Sequence, residues 1–381
     1  MSERIVVVGG GTGGSVAANR LAEKLEPEID AGDVEVTLVT DDPDHVYKPV
    51  FLYVPFGKKT PEDARRPIRE LLDPAVDLRI NRVVDIDTGE KRLECQDGHT
   101  TLEYDHLIVA TGAKLEPDEV PGLAEDGHHF YGPDGAAKLR DALADFDEGH
   151  IVLSVVGVPH MCPAAPVEFT LMVDEWFRKR GIRDQVEITY TYPIQRLHGL
   201  EPVHEWMEPR FEERDINSET FFNAEAVDPD EKVLESMEGT ELDYDLLVTI
   251  PPHTGDELVA KAGLGDDGWM EVNKHTLESE RAENVYGLGD AADIPTSKAG
   301  SVAHYAAGTV ADRIASEVRG QVPTATYEGK TVCFIEAGMD EATFVEFDYE
   351  RPPVLRDENK FVHWAKLAYN ETYWLTAKGL L

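Results

Sequence analysis

An α/β fold, with parallel strands alternating with helices, is what the sequence predicts, and three observations near the N-terminus carry the prediction. Ile5–Val8 is an unbroken β-branched run, as a strand buried on both faces requires. It leads into Gly9-Gly10-Gly11-Thr12-Gly13-Gly14, and then into a helical pattern that places Val16, Ala17, Leu21 and Leu25 on one face between Arg20, Glu23 and Lys24. A second apolar strand, Val34–Thr40, ends in Asp41-Asp42. That order matters more than the glycines alone, because G-x-G-x-x-G is informative only between a strand and a helix.

Each glycine of the turn has a physical task. Gly9 allows the tight turn, and Gly11, beside Thr12, lets backbone N–H groups approach a pyrophosphate at the positive helix end. Gly14 lets the helix lie close on the strand. An acid ending the second strand binds the adenosine ribose in such units; Thr40 stands where it is most usual, so the assignment moves to Asp41.

Composition narrows the function. The chain has 381 residues, enough for two or three domains at roughly 100–200 residues each. With 36 Lys+Arg against 75 Asp+Glu, its formal charge is −39, which repels phosphate and argues against nucleic-acid binding. A hydrophobic content of 41% argues for a packed globule over a disordered chain. Acidic excess with few lysines resembles proteins of salt-in halophiles, so a haloarchaeal source is expected. At 1 M salt the Debye length falls to about 3 Å and the self-repulsion is largely screened. Three cysteines, Cys95, Cys162 and Cys333, make no disulfide framework, and no CxxC pair suggests a metal. No basic, apolar leader opens the chain, and no run of 18 apolar residues spans a membrane. A cytoplasmic chain is expected, with attachment to a membrane surface open.

Further motifs follow in order. Leu93–Cys95 and Thr101–Tyr104, around Gln96-Asp97-Gly98-His99, read as a hairpin. It leads into the strand Leu107–Ala110, ending in Thr111-Gly112. Asn284–Leu288 is a strand ending in Gly289-Asp290, followed by a helix from about Ser301 to Val318. Together these segments resemble the two-dinucleotide-binding-domain flavoproteins, which have two interleaved Rossmann-like domains of the glutathione-reductase type. The resemblance implies FAD, with Thr111 and Gly112 beside it, Asp290 on its ribityl or pyrophosphate part, Val84 in the cofactor-binding set and Pro49 on a loop covering the flavin. Lys298, before the later helix, would favour negative charge on reduced flavin. The implied division is residues 1–115 and 246–320 for the FAD domain, 116–245 for the second Rossmann-like domain, and 321–381 for a C-terminal membrane-facing segment.

The second Rossmann-like unit begins with the strand His150–Gly157, but continues Val158-Pro159-His160-Met161-Cys162-Pro163 where NADH-using relatives carry a second glycine fingerprint. Pro159 and Pro163 remove N–H donors, and bulky side chains between them block a pyrophosphate. An NADH site is therefore not expected, which argues against type II NADH dehydrogenases.

Cys162-Pro163-Ala164-Ala165-Pro166-Val167-Glu168 opens a helix, and a thiol there is expected to be favoured as thiolate by the helix N-terminus. A strand, Cys-Pro-x-x-Pro-x-Glu and a helix in a flavoprotein without the NADH fingerprint resembles the sulfide:quinone oxidoreductase and flavocytochrome c sulfide dehydrogenase family. Thr331–Gly338, carrying Cys333, and Lys360–Lys366 resemble that family's tail. The resemblance implies that Cys162 and Cys333 face each other beside the flavin and that sulfide attacks their disulfide or polysulfide bridge. Cys333 is expected on the flavin side. Electrons then pass to an isoprenoid quinone, with Phe334 and Phe344 as candidates for its pocket. Glu168 would take protons from sulfide, and His198 would relay a proton near pH 7.

Cys95, in the hairpin, is expected to be a bystander. No cysteine lies in the Gly127–Pro133 stretch used by three-cysteine members, nor near Tyr47–Tyr53, so FAD is expected to be non-covalent. Phe361–Leu381, aromatic and with Lys366 and Lys378, reads as an interfacial helix. Homo-oligomerisation, product length and a cytochrome as acceptor stay open. The rival readings are an NADH:quinone or disulfide oxidoreductase, and a flavin-binding redox sensor without turnover.

Overall fold

The computed structural model describes residues 2–380. Its apolar runs become the inner strands of two parallel sheets. The first is ordered Val285–Gly287, His106–Val109, Glu3–Val8, Val34–Thr40, Asp77–Ile80, with every neighbouring pair parallel. The last of these in sequence lies at the sheet's edge, so this unit is completed only after the chain has built the other one. The second sheet is ordered Asn217–Thr220, Val186–Tyr192, Gly149–Val155, Leu246–Ile250, again parallel. Val7, Leu38, Ile108, Ile151 and Val248 are fully buried, as strands covered on both faces must be. The predicted interleaved α/β architecture is the one observed.

Each parallel sheet carries a three-stranded antiparallel meander. The predicted hairpin is part of the first, Val83–Asp87, Arg92–Cys95 and Thr101–Glu103; the second comprises Ala224–Asp228, Val233–Ser236 and Glu241–Asp243. Cys95 is buried there, in the core of the first unit. Ligands of open α/β sheets bind beyond the carboxyl ends of the parallel strands, and the glycine turn and Cys162 lie at such ends. The close approach at the turn is visible atom by atom. A Cβ on Gly14 would stand 1.9 Å from the Gly9 carbonyl oxygen, and one on Gly9 (φ +108°) 2.3 Å from that of Ala110.

The C-terminal part is a small antiparallel sheet, Thr331–Glu336, Ala342–Phe347 and Val354–Leu355, followed by the helix Lys360–Ala377. Asn359 caps that helix through a bond from Val362 N (3.0 Å). Among the described residues no helix is long and apolar enough to cross a membrane. The helix also corrects the expectation drawn from its composition. His363, Lys366, Asn370, Tyr373 and Trp374 are buried, while Phe361 and Trp364 are 75% and 59% exposed. A stripe of His363, Lys366, Asn370 and Tyr373 faces the protein while Phe361, Trp364 and Leu375 face out, so Lys366 is an interior charge and no part of a basic outer face.

Candidate active site

The glycine turn borders open space that suits a dinucleotide. A Cβ on Gly11 or on Gly112 (φ +77°) would meet no heavy atom within 4 Å. The Thr111 hydroxyl is buried without a partner, a polar group waiting for one outside the chain. Gly289 (φ +70°) starts the one-turn helix that carries Asp290, and Lys298 Nζ donates to the Asp290 carbonyl at 2.7 Å while standing 3.8 Å over the Trp269 ring. Burial holds the Lys298 ammonium below its ordinary pKa against the opposing pull of Asp290.

The segment carrying Cys162 is pinned onto this cleft. Cys162 N donates to the Lys298 carbonyl (2.8 Å), the Tyr131 hydroxyl donates to the Cys162 carbonyl (3.4 Å), and Lys48 Nζ donates to Met161 Sδ (3.1 Å). The last bond holds the exposed Pro49 turn near the Cys162 segment. Cys162 itself has φ +47° and precedes the cap of the helix Ala164–Arg180.

Cys333 comes from the strand Thr331–Glu336, which packs against that helix. Both thiols are free and half-buried, and ionisation of Cys162 raises the pKa of Cys333. Burial, reinforced by the Glu168 carboxylate, pushes the Cys162 thiol up to about 12. The expectation that the helix N-terminus makes it a thiolate is therefore corrected, since desolvation outweighs the dipole. Burial and the neighbouring Cys162 likewise raise Cys333.

A charged cluster lies close enough to the thiols for Glu168 and Lys366 to act on both. Glu168 accepts from Glu336 N (2.8 Å) and from Lys366 Nζ, and Lys366 Nζ lies 3.8 Å from a Glu336 oxygen. Glu336 accepts from the Tyr53 hydroxyl (2.6 Å) and pairs with His363 Nδ1 (2.8 Å). Burial raises the Glu168 carboxyl despite Lys366. Burial also works on Glu336, but Lys366, His363 and Tyr53 overcome it and hold that carboxyl below its usual range. The two acids keep Lys366 protonated against its own burial.

A family profile described as pyridine nucleotide-disulphide oxidoreductase matches residues 3–329, most of the chain. The chain belongs to that family. Pyridine nucleotide-disulphide oxidoreductases are oxidoreductases that bind FAD, generally without a covalent link. The open glycine turns and the unpartnered Thr111 hydroxyl fit that cofactor. Among relatives, the mitochondrial sulfide:quinone oxidoreductase of Mus musculus is 26% identical, over 92% of this chain and 79% of its own. The sulfide-quinone reductase of Aquifex aeolicus is 27% identical, over 100% and 92%. The X-ray structure of the sulfide:quinone oxidoreductase from the hyperthermophilic bacterium Aquifex aeolicus superposes with a TM-score of 0.86 at 24% identity, over 99% of this chain and 92% of that one, which shows the shared fold.

Within this family framework, some predicted residues gather and others do not. Thr12 shares a hydrogen bond with the Tyr373 hydroxyl (2.6 Å). Thr40 lies against Gly10, where an added Cβ would be 2.9 Å from its hydroxyl, while Asp41 is exposed at the strand end. Val84 lies on the first meander, 38% exposed, with its carbonyl accepting from Lys261 Nζ (2.9 Å), and it lines a cavity that includes no residue of the glycine turn. Phe334 and Phe344 pair across their two strands with ring centroids 6.1 Å apart. By strand alternation they lie on the face opposite Cys333.

His198 requires a correction. It is buried, Nδ1 accepts from Leu200 N (2.9 Å), and burial, helped by His160, lowers its pKa to about 4. At pH 7 it is neutral, with its proton on Nε2, and it holds no charge to relay. Its neighbours His160 and His253 are neutral for the same reason, desolvation, at about 4 and about 3.

The sequence reading missed His45 and the inner face of the terminal helix. His45 bridges the Gly10 carbonyl (2.9 Å) and the Tyr373 hydroxyl (2.9 Å), tying the glycine turn to that helix. Tyr47 stacks on Tyr373 at 3.7 Å. A polar stripe at helical spacing (His363, Lys366, Asn370, Tyr373) is the signal that could have found it.

Proposed function

We propose that this flavoprotein oxidises sulfide to sulfur or polysulfide through Cys162 and Cys333 and passes the electrons to an isoprenoid quinone. What supports the reading is that two cysteines remote in sequence come close enough for the charge of one to act on the other, and that a buried carboxylate–ammonium pair acts on both. In the resting enzyme the two sulfurs are joined; hydrosulfide attacks one, forming a cysteine persulfide, and the other leaves as a thiol or thiolate. Joining the sulfurs removes the cost of ionising two buried thiols before substrate arrives. Glu168 accepts protons lost by the sulfur, Lys366 offsets the negative charge that develops, and the Lys48–Met161 contact holds the covering turn in place. FAD, when bound, would supply a two-electron acceptor, and Gly9, Gly11, Thr12, Gly14, Pro49, Thr111, Gly112, Gly289, Asp290 and Lys298 would hold it, with Asp41 for its ribose. Phe334 and Phe344, on the opposite sheet face, are assigned to the quinone.

Anaerobic addition of sulfide to the yellow protein in high salt should bleach the flavin absorbance, and a quinone analogue should restore it. Bleaching by NADH in place of sulfide would establish the rival pyridine-nucleotide reading. No bleaching by either would leave a flavin-binding redox sensor.

The outer face of the terminal helix is proposed to seat the enzyme on the cytoplasmic face of the membrane. Phe361 and Trp364, with ring centroids 5.6 Å apart, and Leu375 form its exposed apolar side. Replacing Phe361 and Trp364 together by Ser should weaken binding to zwitterionic lipid vesicles in high salt about 10–100-fold in flotation assays, with sulfide-driven bleaching in solution unchanged. Undiminished flotation would remove this helix from the membrane contact.

A further inference from the structure

The cluster beside the thiols does not end at Glu168. We infer that Glu168, Lys366, Glu336 and Tyr53 form the outlet through which protons released at the cysteine pair reach the protein surface. The inference rests on the sulfide-oxidising reading and extends it to residues from four separate segments.

Chemistry demands such an outlet. Bonding the sulfur of one H2S to a cysteine sulfur as sulfane sulfur removes two electrons and two protons from it. The electron pair would pass to FAD together with one of those protons, and the quinone, when reduced, takes that proton and one more from its own side. The other proton must leave through an interior where Glu168, Glu336 and Lys366 are each under a tenth exposed. A buried site that accumulated protons would halt, because the cost of uncompensated charge in a low dielectric rises with each one.

The structure offers a continuous line of proton-bearing atoms. Glu168 is near enough to Cys162 and Cys333 for its charge to act on both. Lys366 Nζ is bonded to Glu168 and stands 3.8 Å from Glu336 Oε1. That same Glu336 oxygen accepts from the Tyr53 hydroxyl at 2.6 Å. Tyr53 in turn lines a surface cavity of about 440 Å³, whose wall includes Lys59, Glu62, Asp63 and Glu371. Each transfer is a hop between bonded or nearly bonded groups. Glu168 takes a proton from sulfur, and Lys366 gives one to Glu336 as it is refilled from Glu168, so that it stays charged; once the phenol hydrogen has turned from Glu336 to the cavity, Glu336 passes its proton to the Tyr53 oxygen as the phenol releases its own. His363, bonded to the other Glu336 oxygen, fixes that carboxylate's orientation. Lys366 and Tyr53 also face each other, with Nζ 5.7 Å over the ring.

A stability role alone would need the charge pairing but no phenol reaching a cavity, and that difference sets the test. FAD-loaded enzyme is mixed anaerobically with sulfide in weak buffer, following flavin bleaching and a pH-indicator dye together. In Tyr53→Phe the dye signal should lag bleaching, and turnover with a quinone analogue should fall about tenfold. Raising the concentration of imidazole buffer should restore both. Glu336→Gln, which keeps the carboxamide oxygen as acceptor, should behave alike and covers the case in which Tyr53→Phe fails to fold. Wild-type rates in both variants, insensitive to buffer, would overturn the outlet while leaving the sulfide reading intact. Failure of the wild type to bleach with sulfide would overturn both.

Discussion

Replacing Cys333 by Ser is expected to lower sulfide-driven flavin bleaching by about 10³-fold or more while the protein still binds FAD. The substitution removes one heavy-atom row difference and little volume, and Cys333 is only half-buried between the two main apolar cores, so packing should survive. What is lost is chemistry: a serine hydroxyl can neither bridge to the Cys162 sulfur nor leave from it. Cys162→Ser should show the same loss. Cys95→Ser should retain wild-type turnover, because that side chain lies in the first-domain hairpin, away from the pair. The raised thiols sharpen the expectation. With Cys162 pushed up to about 12 and Cys333 raised further by its neighbour, a reduced pair carries almost no thiolate at neutral pH. The oxidised enzyme should therefore be the form that reacts with sulfide, and pre-reduction with a thiol reductant should slow the first turnover. Single Ser variants that keep full sulfide turnover, measured anaerobically with FAD content checked, would end the two-cysteine mechanism.

That the chain binds FAD was legible in the sequence because the segments that suggest it are local. Gly9–Gly14, Thr111-Gly112 and Gly289-Asp290 each sit at the end of an apolar strand, and one segment suffices to read each. Of the proton-handling half only Glu168 was read, from its place in the Cys162 segment; Tyr53, Glu336 and Lys366 come from a 3-10 turn, a remote strand and the terminal helix, with no spacing that pairs them with it. Lys366 was misplaced for a related reason. The aromatic and basic composition of the terminal helix grouped it with the interfacial residues, whereas its charge is satisfied inside by two acids remote in sequence. Composition sums a helix over all its faces; only the stripe at i, i+3, i+7 separates them. Burial, which no motif states, lowers the pKa of His198 to about 4, so it does not change charge near pH 7.

Lys366→Met should be the most destabilising single change in this region, costing about 3–5 kcal/mol. Lys366 is 6% exposed and compensates Glu168 and Glu336, which are 3% and 0% exposed, so its removal leaves two buried carboxylates facing each other. The pH dependence identifies the cause. In the wild type, the Glu336 carboxyl is lowered; its contribution is present above the unfolded value near 4.5 and is lost as pH falls through the folded value. Without the ammonium, burial dominates at both acids and their folded pKa values rise above the unfolded ones. The native variant then binds more protons than its unfolded chain, so its stability falls as pH rises through those raised values. The deficit of Lys366→Met relative to wild type should therefore be larger at pH 8 than at pH 5, measured by denaturant unfolding of FAD-loaded protein at constant high salt. Adding Glu168→Gln to the variant should recover part of the loss at pH 8, because it removes one of the two unpaired charges. An equal deficit at both pH values, unchanged by Glu168→Gln, would mean that Lys366 acts through packing of its aliphatic stem, and the cluster would then lose its standing as a charge-compensated unit.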